Sequence, residues 1–253
     1  MDLPGFVPDD LRQLLRFVPT RGWDAVAWRP MLSSLRSLSW RMVSGRGVTK
    51  LSRELAPLLR DVELGAPPAE LPALDALPAG KDRRLAGDRL LGLYFSQWLN
   101  PGGVFIDLRS HHFHQDAGCL WFTPNGLWFQ VRTDFREGLV ALYRAFYADD
   151  ETALDEALHR MGMLGPGLTG EDAEHLKGLL RAHFGLESGA QSFSLDRFKV
   201  SFDALFDFFV DHDITLHSDF VVLGFNLITL YMTLEGLGET HDVRRLCGEV
   251  LAG

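Results

Sequence analysis

The chain has 253 residues, 46% hydrophobic and 23% charged, a composition that suits a globular protein with a real core and excludes disordered or collagen-like material. Its net charge of −9 argues against a general nucleic-acid binder, which needs a basic balance. Cys119 and Cys247 stand far apart in no paired motif, so neither a disulfide framework nor a Cys-based zinc site is expected, and the compartment they suggest is reducing and cytoplasmic.

The first ten residues hold no basic head followed by an apolar run, so export is not expected. Residues 11–60 carry ten basic residues against two acidic ones, a net of +8 that leaves −17 for the rest. The whole arm, residues 1–64, reads as short helices. Asp9 or Asp10 can cap a helix carrying Leu11, Leu14, Leu15 and Val18. Trp28, Met31, Leu32, Leu35, Leu38 and Met42 then recur every three or four residues, leaving Arg29, Arg36 and Arg41 largely off the apolar face. Thr49 can start a third segment through Leu51, Leu55 and Leu59. A basic amphipathic helix bearing Trp28 and Trp40 suits an anionic membrane surface, such as the inner face of the cell membrane, or an acidic protein partner, a second copy included.

Residues 65–80 hold four of the twelve prolines, and so many missing backbone donors predict an extended linker between the arm and a domain at 81–253. A helix is expected at about 82–99. Cys119–Phe122 and Leu127–Val131 flank Pro124-Asn125-Gly126, where Asn-Gly favours a tight turn, so a hairpin is expected at about 119–131. Val104-Phe105-Ile106 can add a strand. From residue 136 the pattern is helical, with Asp149 or Asp150, Thr169, Ser194, Ser218 and Asp242 as caps and Gly162, Gly185 and Gly238 as stops. Phe220–Leu237 is apolar, but it is short, carries Asn226 and Glu235 and lacks basic flanks, which favours a buried core helix over a membrane span. The expected fold is therefore mainly α with a small β-hairpin.

The densest chemical cluster runs from Asp107 through Arg109, His111, His112 and His114 to Asp116. On a strand, alternation would bring His112, His114 and Asp116 to one face and leave His111 on the other. Two imidazoles and a carboxylate suit a divalent transition metal, which makes a metal-dependent helical enzyme one reading. Asp211-His212-Asp213 with His217 reads as helix-end capping. No phosphate-binding loop and no nucleophile elbow is present.

The order of Phe113-His114-Gln115-Asp116, Thr123-Pro124-Asn125-Gly126, Thr133-Asp134-Phe135 and a helical tail with Leu234-Glu235-Gly236-Leu237 resembles the C-terminal lobe of the UbiB/AarF family of atypical kinase-like proteins, over about residues 85–250. That family is associated with ubiquinone and other isoprenoid-lipid metabolism, and the resemblance implies a kinase C-lobe preceded here by the basic arm. Its catalytic loop reads Phe-His-Ala-Asp-Pro-His-Pro-Gly-Asn, and a later Asp-Phe-Gly holds magnesium. Carried over, Asp116 is the catalytic-loop carboxylate and Asp134 the magnesium ligand. Ala117-Gly118-Cys119 replaces the end of the loop and Arg136 stands where the later glycine would be. A second register, setting Gly103-Val104-Phe105 on the family's Gly-Phe-Phe, puts Leu108 at the catalytic position. Residues 1–84 hold neither the Lys-x-Gly-Gln motif nor the Ala-rich loop of the family. The implied function is a degenerate pseudokinase that binds no cofactor and acts as a binding or accessory subunit. The enzymatic alternative is an ATP- and magnesium-dependent phosphotransferase or ATPase completed by a partner chain.

Overall fold

The computed structural model describes residues 47–165, 167–185 and 189–251. The sequence expectations on Trp28, Arg29, Arg36, Trp40 and Arg41 lie outside these residues. Helix α1 (Val48–Leu55) buries Leu51 and Leu55, the two leucines its spacing put on one face. After a one-turn 3₁₀ helix at Ala56–Leu58 comes strand β1 (Val62–Leu64). Residues 65–80 are no free linker. Leu74 and Leu77 are buried in the core, Leu74 within a second 3₁₀ turn (Leu74–Ala76), and Ala73 forms a β-bridge with His114. The prolines remove backbone donors, yet the leucines between them still gain from leaving water, and that gain docks the segment.

Helix α2 (Lys81–Leu99) is buried on most of its circumference, with Leu90, Leu93, Tyr94 and Trp98 inside. Four strands follow: β2 (Val104–Phe105), β3 (Phe113–Gln115), β4 (Leu120–Phe122) and β5 (Trp128–Phe129). They do not pair as the sequence suggested. Strand β4 lies between β1, to which it is parallel, and β3, to which it is antiparallel, whereas β5 pairs with β2 in a separate two-stranded sheet. The two flanks of Asn125-Gly126 thus enter different sheets, and the hairpin turn is Asp116–Cys119 instead. The reason is local. Neither Asn125 nor Gly126 adopts the positive φ that a tight two-residue turn needs, because the Asn125 side chain folds back to accept a hydrogen bond from the Leu127 amide and reaches away to Asp107.

From residue 133 onward the chain is helical: α3 (Thr133–Ala148), α4 (Glu151–Arg160), α5 (Gly170–Phe184), α6 (Leu195–Asp211), α7 (Asp219–Leu237) and α8 (Val243–Leu251). A two-residue pair, β6 (Gln191–Ser192) with β7 (Thr240–His241), is the exception. Asp150, Thr169, Ser194 and Asp242 each accept a hydrogen bond from the amide three residues on, and Thr169 with Asp172 completes a reciprocal capping box. Ser218 makes no such bond. Helix α7 is long and apolar enough to cross a membrane by length and composition, but 78% of that window is buried within the protein itself. It is the central helix of the fold.

Candidate functional site

The site grows from three polar side chains on α7. Asn226, Thr229 and Thr233 are spaced by three and four residues and so share one helix face, and all three are buried. Each bonds the extended backbone that leaves β2. Asn226 Nδ2 donates to the Phe105 carbonyl at 2.9 Å, Thr229 Oγ1 to the Ile106 carbonyl at 2.6 Å, and Thr233 Oγ1 to the Leu108 carbonyl at 2.7 Å. The Leu108 amide donates back to Thr229 Oγ1. Gln97 on α2 closes the set, accepting from the Phe105 amide and donating to Asn226 Oδ1. A strand edge that would otherwise bury unpaired backbone groups is satisfied by side chains from two helices.

This latch turns Ile106 and Leu108 into the core and leaves Asp107 between them, itself only 1% exposed. Its carboxylate is fully engaged. Arg109 grips it with a fork, Nε to Oδ1 at 2.7 Å and Nη2 to Oδ2 at 2.6 Å. His112 Nε2 lies 3.0 Å from Oδ2, and Asn125 Nδ2 donates to the same oxygen at 2.8 Å. Burial pushes the Asp107 carboxyl upward, but the hydrogen bonds from Arg109 and His112 and the charge of the Arg109 guanidinium outweigh it and hold the group well below the usual carboxylate range. The site therefore contains a permanent buried carboxylate, matched by a guanidinium that is 13% exposed.

Among the described residues, the one group of histidines and carboxylates close enough to share a metal is Asp107, His111 and His112, whose ligand atoms lie within 4.8 Å of one another. The trio expected from the sequence does not converge. Ser110–His112 is a 3₁₀ turn, so strand alternation starts only at Phe113. His114 sits on β3 opposite Trp121, and its Nδ1 is buried without a hydrogen-bond partner. A divalent ion at Asp107, His111 and His112 would meet the Arg109 guanidinium on the same carboxylate. As arranged, the donor set suits a neutralised ion pair better than a cation.

The two carboxylates carried over from the family resemblance also have other work. Asp116 Oδ1 accepts from the amides of Gly118 and Cys119 at 2.8 and 2.6 Å, and these bonds lower its pKa. It holds the β3–β4 turn. Asp134 stands exposed in the first turn of α3, where it bonds the Phe135 amide and pairs with Arg132 at 3.3 Å. Arg132 continues to Asp219 at the start of α7, which His217 also meets. Asp116 and Asp134 share no bonding partner among the described residues. His212 ends α6, bonded to the Phe208 carbonyl and to the Asp172 carboxylate, and so ties the end of α6 to the first turn of α5.

Asp107, Arg109 and Asn125 are thus the residues that pattern reading passed over as site members. The available signal was a carboxylate inside the apolar run Val104-Phe-Ile-Asp-Leu108, where an acid must be paired or pay heavily for burial. No family model matches the chain, and no curated protein matches it.

Proposed function

We propose that this chain is a kinase C-lobe-like module of the UbiB/AarF type that has lost phosphoryl transfer and acts as a binding or accessory subunit in quinone or isoprenoid-lipid metabolism, at a membrane surface reached through its basic N-terminal arm. One observation carries the reading. Asp107-Leu108, followed by His112, keeps the Asp-Leu-x-x-x-Asn spacing of a kinase catalytic loop, and it lies between a short strand, β2, and a hairpin, β3–β4, with β5 returning to pair with β2. The register that best fits the resemblance is then one in which Asp107, rather than Asp116 or Leu108, stands at the catalytic position.

In that register the magnesium ligands are replaced. A kinase uses the loop asparagine and a later aspartate. Here His112 stands at the first position, and the side chain brought onto Asp107 from beyond the hairpin is the neutral amide of Asn125. Magnesium favours charged oxygen donors, and an imidazole with an amide supplies no charge. The cationic partner of Asp107 is Arg109 instead. Upstream of β2 the sequence holds two lysines, Lys50 and Lys81. Lys50 lies on α1, 81% exposed and paired with Glu54, and Lys81 opens α2. Neither is on a strand, so the lysine that would neutralise nucleotide phosphates is missing from its usual setting.

Calorimetry of the full chain with ATP and magnesium tests the proposal. No micromolar binding is expected. Micromolar affinity that Asp107→Asn removes would overturn it and favour the phosphotransferase completed by a partner chain, an alternative supported by the permanent charge on Asp107.

A further inference from the structure

Helix α7 carries three different sides. Asn226, Thr229 and Thr233 hold the backbone that leaves β2, and Leu223, Leu227 and Leu230 meet α6 and α2. Val221, Phe225, Ile228 and Met232 recur every three or four residues and make up the third. The first three of these, with Phe202 and Phe206 of α6, line a groove that has no polar side chain on its walls. It is closed to water, since Val221 is 5% exposed and Ile228 1%. Among the described elements, those packed most closely on α7 are α2, α6 and the turns at Leu74–Ala76 and Ser110–His112, and of these α6 borders the groove along one edge. The other edge needs a further cover, because apolar side chains stay this inaccessible only where other atoms exclude water.

Reach points to the occupant. Gly47, where the described chain begins, lies against the Trp128 indole on β5. Four residues after Trp128, Arg132 bonds Asp219, the first residue of α7. Residues 1–46 therefore join the described chain close to the end of α7 at which the third side starts. Met42, the last member of the apolar pattern Trp28, Met31, Leu32, Leu35, Leu38 and Met42, is five residues from Gly47, a span of at most about 18 Å. A helix through that pattern is about 20 Å long, and the stripe from Val221 to Met232 runs about 17 Å. The lengths match.

Charge points the same way. Asp203 and Asp207 each follow a groove-lining phenylalanine by one residue and edge the groove on α6, with Asp196 two turns before Asp203 and Lys199 between them. Asp203 Oδ1 is buried and has no hydrogen-bond partner among the described residues. Residues 28–42 contain Arg29, Arg36 and Arg41 and no acid. An acidic rim selects a basic segment.

We infer that the N-terminal arm of this same chain docks on the groove in solution, its apolar residues from Trp28 to Met42 laid along Val221, Phe225 and Ile228 and its arginines over the acidic rim. The inference does not rest on the kinase-like reading, and an anionic membrane would compete for the same face of the arm.

The test is hydrogen exchange of the full chain, read by mass spectrometry at low and high protein concentration without vesicles. Amides of residues 31–42 are expected to exchange about tenfold or more slowly than those of an unstructured chain, equally at both concentrations. Leu35→Asp puts a charge on the apolar face of the arm and should abolish that protection while quickening exchange across Val221–Ile228 about threefold, with circular dichroism reporting that the helices of the domain persist. If this variant does not fold, Leu35→Ala should quicken both regions by about threefold. Asp203→Lys reverses the rim and should quicken the arm about threefold. An unprotected arm in the parent, protection confined to high concentration, which marks a second copy as the occupant, or an arm freed by Leu35→Asp with Val221–Ile228 unchanged would overturn the inference, as would an arm that Asp203→Lys leaves untouched.

Discussion

Asp107 and His183 are both buried titratable side chains, 1% and 7% exposed, and their two regions treat them in opposite ways. In the latched segment after β2, Asp107 meets a guanidinium fork, an imidazole and an amide, so it stays ionised inside the protein. In the bundle of α5 and α6, His183 meets one hydroxyl and three aromatic rings, and burial pushes its imidazole down to about 4. Depth alone does not decide charge. Partners do, because a buried charge persists only where dipoles and counter-charges replace the water it lost.

The sharpest way to break this contrast is to remove the Asp107 carboxylate. Asp107→Ala removes the buried carboxylate on which the Arg109 fork, His112 and Asn125 converge and should cost about 3 kcal/mol or more in urea denaturation. Asp116→Ala removes only a partly exposed turn acceptor, so a smaller loss is expected. Equal losses would mean that the Asp107 cluster has no special role in stability.

The second test is pH. His183 binds a proton in the unfolded chain near its ordinary value of 6.5 but refuses it in the folded chain until about 4. The unfolded state therefore holds more protons between these values, and stability falls as pH falls across that window, by up to about 3 kcal/mol. His183→Gln should flatten this part of the profile relative to the parent. An unchanged slope would show that the bundle does not exclude the charge.

The smallest effect comes from the latch. Thr229→Val keeps the shape but strips the Leu108 amide and the Ile106 carbonyl of their partner, and about 2 kcal/mol is expected. Hydrogen exchange should quicken at Leu108, and protection equal to the parent's would show that the latch is not what holds the segment.

Much of the helical architecture was legible in the sequence. Asp150, Thr169, Ser194 and Asp242 act as caps where their side-chain type and position said they should. Gly162, Gly185 and Gly238 take positive φ at helix ends. These are local signals, set within about four residues. The polar residues of α7 were less legible. Asn226 was read as a mark against a membrane span, and nothing in the helix itself shows that Asn226, Thr229 and Thr233 bond a strand edge more than 100 residues earlier in the chain. The hairpin failed for a related reason. Asn125-Gly126 is a strong turn signal, but the Asn125 amide found a distant carboxylate and gave up the turn.

By itself, then, the sequence determined the helical class, most helix ends and the burial of Phe220–Leu237, because periodicity and capping act over a few residues. Only the tertiary structure decided which strands pair and which of Asp107, Asp116 and Asp134 is buried and charged. A carboxylate's environment is made by groups far away along the chain, and local spacing carries no record of them.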